Sequence, residues 1–156
     1  MNTPGMRRFI DCENGDIILH DNEEIFLNLD NIEVSFSETY DVLGIFNLKI
    51  TNQRLTLLNE DSGYEFDIPF IGLHAISRDI NSYPKPCIYC QLDQEEGETP
   101  EEMYLSPSDS NQLQSIFDAL SKAALLNPDP IEPGYVVIYC LVCYSAVYHY
   151  VYTGML

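Results

Sequence analysis

From Glu24 onward, apolar side chains fall at every second position. Ile32, Val34 and Phe36 alternate with Glu33 and Ser35, and Phe46, Leu48 and Ile50 alternate with Asn47 and Lys49. A two-residue period marks a strand with one face on a core and the other in water. Asn52-Gln53 ends the second run; Leu55 to Leu58 forms a third, closed by the turn cluster Asn59-Glu60-Asp61-Ser62-Gly63. Tyr64, Phe66 and Ile68 alternate with Glu65 and Asp67 up to Pro69, and Ile71 to Ile76 predicts a fifth strand. After a loop from Ser77 to Pro86, Cys87 to Leu92 and Met103 to Leu105 predict two more.

The period changes once. After Pro107-Ser108-Asp109, apolar side chains at Leu113, Ile116, Phe117, Leu120 and Ala124 form the stripe of an amphipathic helix. Ser108 or Asp109 supplies its N-cap, and Asn127-Pro128 stops it. Short strands followed by one helix require an antiparallel sheet with an end or face covered. The expected fold class is mainly β with one C-terminal helix: a pleckstrin-homology-like barrel or sandwich of about seven antiparallel strands capped by that helix. Other small barrels share this pattern. Residues 1–23, polar and broken by Pro4, Gly5, Asn14 and Gly15, read as a flexible N-terminal segment. Residues 24–132 read as the folded domain and 133–156 as an uncharged, tyrosine-rich hydrophobic tail.

Charge narrows the class of partner. The chain has 156 residues, 25 acids and 7 bases, a net charge of −18 with histidine neutral. That length suits one domain with a real core. Such acidity is repelled by phosphate backbones and anionic lipid, so direct nucleic-acid binding is not expected and a basic protein partner is. The charge also ends abruptly, because every acid and base lies at or before Glu132. The tail from Gly134 to Leu156 carries six tyrosines and admits three readings. It is long enough to span a bilayer, although its tyrosines suit the interface rather than the centre and no basic flank anchors it. It is rich enough in Tyr, Val and Ile to add one or two strands. The reading its composition favours most is an aberrant terminus from alternative splicing or intron read-through.

Candidate chemistry is sparse. Cys87-Ile-Tyr-Cys90 and Cys140-Leu-Val-Cys143 have the spacing of a four-thiolate zinc site, but the intervening residues favour strand, where positions i and i+3 face opposite sides. No metal is therefore expected. His20, His74 and His149 form no metalloprotease or nucleophile motif, and His74 sits in an apolar run, as a hydrogen-bonded core histidine does. No catalytic residue and no cofactor are assigned. The loop joining the first two strands, Glu38-Thr39-Tyr40-Asp41, is acidic where lipid-binding pleckstrin-homology domains are basic. Arg7-Arg8 is followed by only Phe9-Ile10 before Asp11, too short for a signal peptide. The five cysteines, an odd number irregularly spaced, fit free thiols in a reducing compartment.

Two stretches carry a resemblance. Ile71-Gly72-Leu73-His74-Ala75-Ile76-Ser77-Arg78-Asp79 closely resembles the signature strand of the pICln family, the methylosome subunit also called the chloride conductance regulator. Pro107-Ser108-Asp109, the helix after it and Leu126-Asn127-Pro128-Asp129-Pro130 resemble that family's closing helix and terminal His-Pro-Asp-Pro-like motif, with Asn127 replacing the histidine. The acidic loop before the last strand, with six acids among residues 93–102, also matches in position. The resemblance runs from roughly Glu24 to Glu132.

It implies a pleckstrin-homology-like fold without enzymatic activity or cofactor. It also implies an assembly chaperone for spliceosomal small nuclear ribonucleoproteins, one that binds Sm proteins and presents them to a type II protein arginine methyltransferase. The implied location is the cytosol, and also the nucleus. The family's older attribution, regulation of swelling-activated chloride conductance and cell volume at the plasma membrane, is the alternative. Sm proteins are basic and pair through strand edges. The expected binding site is therefore an edge formed by Cys87, Ile88, Tyr89, Cys90, Gln91 and Leu92, beside Asp93, Glu95, Glu96, Glu98, Glu101 and Glu102. Family members continue into a long acidic tail implicated in recruiting the methyltransferase. The uncharged tail here bears on that recruitment and less on Sm binding, which the folded domain carries.

Overall fold

The computed structural model describes residues 5–8, 10–36, 42–93, 101–127, 135–139 and 146–153. The N-terminal segment contributes β1 (Met6–Arg8) and a small hairpin of β2 (Cys12–Glu13) and β3 (Asp16–Ile17). The predicted strands follow as β4 (Ile25–Phe36), β5 (Val42–Thr51), β6 (Arg54–Leu58), β7 (Gly63–Asp67), β8 (Ile71–Ser77), β9 (Cys87–Leu92) and β10 (Glu101–Pro107). Helix α1 (Leu113–Leu126) comes next, then β11 (Tyr135–Tyr139) and β12 (Ala146–Thr153). Among the described residues, one antiparallel sheet runs in the order β1-β7-β6-β5-β4-β10-β9-β8-β12-β11.

Strand β4 belongs to both halves of this sheet, pairing with β5 along its length and with β10 from Ile32 to Phe36. Its register slips between Leu29 and Ile32, where Asn31 takes a φ of 60°. Asparagine tolerates that left-handed conformation, and a bulge there bends the strand. The two halves fold towards each other, but β7 and β8 do not pair; the 3-10 turn Ile68–Phe70 joins them. The result is an open, sandwich-like sheet rather than a closed barrel.

The core lies between the halves. Ile32, Val34, Phe46, Leu48, Ile50, Leu55, Leu57 and Phe66 are buried in it, as their alternation predicts, while Phe36 and Tyr64 are half-buried at its rim. Helix α1 packs on β4, β5, β8 and β9 and buries the predicted stripe Leu113, Ile116, Phe117, Leu120 and Ala124. Asp109 caps a 3-10 turn, accepting from the Asn111 amide, so the α-helix proper starts at Leu113. At the other end, the Asn127 side chain donates to the carbonyls of Ala123 and Asn52, tying the helix stop to the sheet.

One face departs from the period-two expectation. Lys49 and Glu65 occupy polar positions of the alternation, yet both are buried. They share a cross-strand row, in which Lys49 faces Thr56, Thr56 faces Glu65 and Glu65 faces Arg7 of β1. The N-terminal segment covers this row and meets it with complementary charge. Lys49 Nζ lies 2.8 Å from Asp16, and Arg7 pairs with both Glu65 and Asp67. Arg54 reaches Glu23, Glu65 and the Ile18 carbonyl. Residues expected to lead flexibly into the domain thus supply a strand, a hairpin and the buried Glu23.

Candidate interaction site

The predicted edge, Cys87 to Leu92, is β9, and it is not an edge. It pairs with β10 on one side, Cys90 facing Met103 and Tyr89 facing Tyr104. On the other side it pairs with β8, Cys90 facing His74 and Tyr89 facing Ala75. The reason is legible in burial, since Cys87, Ile88, Cys90 and Leu92 are fully buried and an outer strand would expose more of them. The strand that ends the domain's sheet is β8. Its outer side pairs with β12 over three positions, Ala75 with Ala146, His74 with Val147 and Leu73 with Tyr148. Among the described residues of the tail, Tyr135–Tyr139 and Ala146–Thr153 pair as two strands.

Alternation along β9 sends Ile88, Cys90 and Leu92 into the main core and Cys87 into a smaller cluster with Tyr83 and Tyr104, against which Tyr89 packs. Cys87 and Cys90 therefore face opposite sides of the sheet and cannot converge on one ion. Burial pushes the Cys87 thiol up to about 12 and the Cys90 thiol higher still, Cys87 adding to the effect at Cys90. Both are protonated at neutral pH and weak as ligands or nucleophiles. Cys140 and Cys143 lie outside the described residues. Among the described residues, no group of three or more His, Cys, Asp or Glu side chains is placed to hold a metal. His74 is a core histidine, with Nε2 3.1 Å from the Ser121 hydroxyl and its ring 5.2 Å from that of Phe117.

The acidic residues separate. Glu95, Glu96 and Glu98 lie outside the described residues, as do the side chain of Glu101 and the loop 37–41. The Asp93 amide donates to the Phe70 carbonyl, and its carboxyl lies against Gly72, where a Cβ would meet it. Glu102 lies on the outer face of β10, where it accepts from the Tyr89 hydroxyl at 3.0 Å and the Tyr104 hydroxyl at 2.8 Å. Tyr104 stacks on Tyr83, with centroids 4.6 Å apart and planes at 4°, and the Tyr83 hydroxyl lies 2.8 Å from that of Ser35. These tyrosines escaped the sequence reading because each stands at an outward position of its strand or in a loop. The signal was available in the matching outward positions 89 on β9 and 102 and 104 on β10.

The family described as "Regulator of volume decrease after cellular swelling" matches residues 46–101 and 93–135. The chloride conductance regulatory protein ICln of Arabidopsis thaliana is 34% identical over 141 residues, which cover 79% of this chain and 58% of that one. Methylosome subunit pICln of Canis lupus familiaris is 31% identical over 106 residues, 56% of this chain and 45% of that one. The chain thus spans about half the length of these curated relatives. Among solved structures, a chain of the 8S snRNP assembly intermediate superposes with a TM-score of 0.64 at 21% identity, covering 81% of this chain and 97% of that one. The Vps36 N-terminal PH domain gives 0.57 at 12% identity, over 79% and 96%. Both likenesses bear on the fold, which is that of a pleckstrin-homology domain. With the signature strand, the closing helix and most of the sheet inside the matched residues, the chain belongs to the ICln family of volume-decrease regulators.

Proposed function

We propose that this protein is a non-enzymatic assembly chaperone that binds Sm proteins during spliceosomal snRNP assembly, with residues 24–132 as the binding unit. The observation that carries the reading is the outer side of β8, a sheet edge that accepts a further antiparallel strand, since β12 pairs with it over Leu73–Ala75. Strand addition at such an edge supplies main-chain hydrogen bonds, and flanking charge selects the partner. The acids from Asp93 to Glu102 follow β9 directly in sequence and carry the sign that a basic partner requires. In this reading Cys87, Ile88, Tyr89, Cys90, Gln91 and Leu92 hold β8 in place from the next row, while Asp93, Glu95, Glu96, Glu98, Glu101 and Glu102 steer the partner. The fold likeness to a chain of the 8S snRNP assembly intermediate, and the relatives named methylosome subunit, support it. Hand-over to a type II arginine methyltransferase is the finer part of the proposal; residues 134–156 themselves carry no acid.

The test is a pull-down of recombinant Sm heterodimers with the full chain and with residues 1–133. Recovery by either supports the reading, and stronger recovery by 1–133 is expected because β12 no longer competes for β8. No recovery by either defeats it. The second reading, regulation of anion conductance at the plasma membrane, draws on the Arabidopsis relative's name. No helix among the described residues is long and apolar enough to cross a membrane. Under that reading, deleting 134–156 abolishes the conductance, while Sm binding by the folded domain persists.

A further inference from the structure

The outer face of β8, β9 and β10 carries a concavity of about 390 Å³ lined by Ala75, Ser77, Ser82, Tyr89, Glu102 and Tyr104. The one acid in that lining is the half-buried Glu102. Two neutral donors, the Tyr89 and Tyr104 hydroxyls, hold one carboxylate oxygen each. None of the chain's 7 bases, all of which fall among the described residues, pairs with Glu102. The charge is therefore fixed in position and left uncompensated. A carboxylate oxygen accepts about two hydrogen bonds, so each retains one open site. Two open sites side by side match the two parallel N–H groups of a guanidinium.

The walls fit the same group. Tyr104 is 5% exposed and is clamped by the parallel ring of Tyr83, so it cannot swing away. Tyr89 is half-buried, tilted 52° to Tyr104 with centroids 5.6 Å apart, and its ring borders the concavity beside the carboxylate. A planar, weakly hydrated cation gains from an aromatic wall and a two-oxygen acceptor together. A lysine ammonium would engage one oxygen and lose more hydration. Ser82 already donates its hydroxyl to Asp79, which leaves its oxygen to accept from a remaining guanidinium N–H. Ser77 lies two residues past the last β8–β12 pair, so this end of the pocket is beyond the paired stretch of the tail.

We propose that this pocket is a binding site for an arginine side chain of a basic peptide, with the guanidinium bidentate on Glu102 and flanked by Tyr89. The site is separate from the β8 edge and does not depend on strand addition there. The test uses the full chain and two capped synthetic peptides, one with arginine between glycines and one with lysine in its place, titrated by calorimetry. The arginine peptide is expected to bind at least about fivefold more tightly than the lysine peptide. Glu102→Gln is expected to weaken it about tenfold or more, since the lost contact is charge-assisted. Tyr89→Leu, which removes the wall but not the charge, is expected to weaken it about threefold. Melting curves establish that each variant is folded. Equal affinity for the two peptides, or unchanged affinity in either folded variant, overturns the proposal.

Discussion

Replacing Arg54 with methionine keeps an unbranched apolar stem and removes the charge from the most buried ionic site among the described residues. The Arg54 side chain is 3% exposed, and its partners Glu23 and Glu65 are 0% and 9% exposed. The substitution deletes hydrogen bonds to both carboxylates and to the Ile18 carbonyl, leaving two buried acids without their shared cation. Breaking a buried pair from one side costs about 3–5 kcal/mol, most of it from the stranded charge. With a urea dependence of about 2 kcal/mol per molar, the midpoint should fall by about 1.5–2.5 M.

The pH dependence separates this cause from simple loss of packing. Burial pushes the Glu23 carboxyl up, but hydrogen bonds from Arg54, the His20 amide and the Thr51 hydroxyl outweigh it and hold the group below the usual range. A depressed carboxyl contributes stability that is complete above its unfolded value, about 4.3, and is lost as pH falls through the folded one. Without Arg54 the burial effect dominates and Glu23 protonates readily. The gap between wild type and Arg54→Met should therefore be widest at neutral pH and narrow towards pH 4, measured by urea unfolding followed by circular dichroism. A midpoint shift below about 0.5 M at pH 7, or a gap that does not change with pH, would refute the reasoning.

Gly5 adopts a φ of 79°, its carbonyl accepts from the Asp67 amide at 2.7 Å, and a Cβ there would lie 2.6 Å from the Phe70 Cβ. Gly5→Ala should cost about 1–3 kcal/mol, and a melting temperature equal to wild type would show that β1 is not held as described. Among the described cysteines Cys12 is exposed, whereas Cys87 and Cys90 are buried thiols with raised titration points. In the native protein at pH 8, iodoacetamide should label Cys12 well before the other two, and equal labelling by peptide mass spectrometry would count against the burial of β9. Removing residues 134–156 should speed amide hydrogen exchange within Leu73–Ala75, where β12 pairs, and unchanged exchange would mean that the tail does not cover β8.

The sequence by itself determined the elements, because hydrophobic period is a local property. Alternation at Ile32–Phe36, Phe46–Ile50 and Tyr64–Ile68 marks half-buried strands wherever they end up, and the stripe from Leu113 to Ala124 marks the helix that covers them. It also carried the family signature at Ile71–Asp79, within the residues that the family matches. What it did not contain is which strands become neighbours. The all-apolar inner face of β9 was visible, yet whether a strand lies at an edge depends on the partners that flank it, and β10 and β8 take both sides. Likewise, Lys49 and Glu65 look solvated in the pattern and are buried because residues from β1 to Glu23, distant in the chain, fold over their row. The Glu102 pocket has the same origin. Antiparallel register sets Tyr89 opposite Tyr104, the preceding loop returns Tyr83 to stack on it, and a carboxylate that was one acid among 25 becomes an oriented charge between aromatic rings.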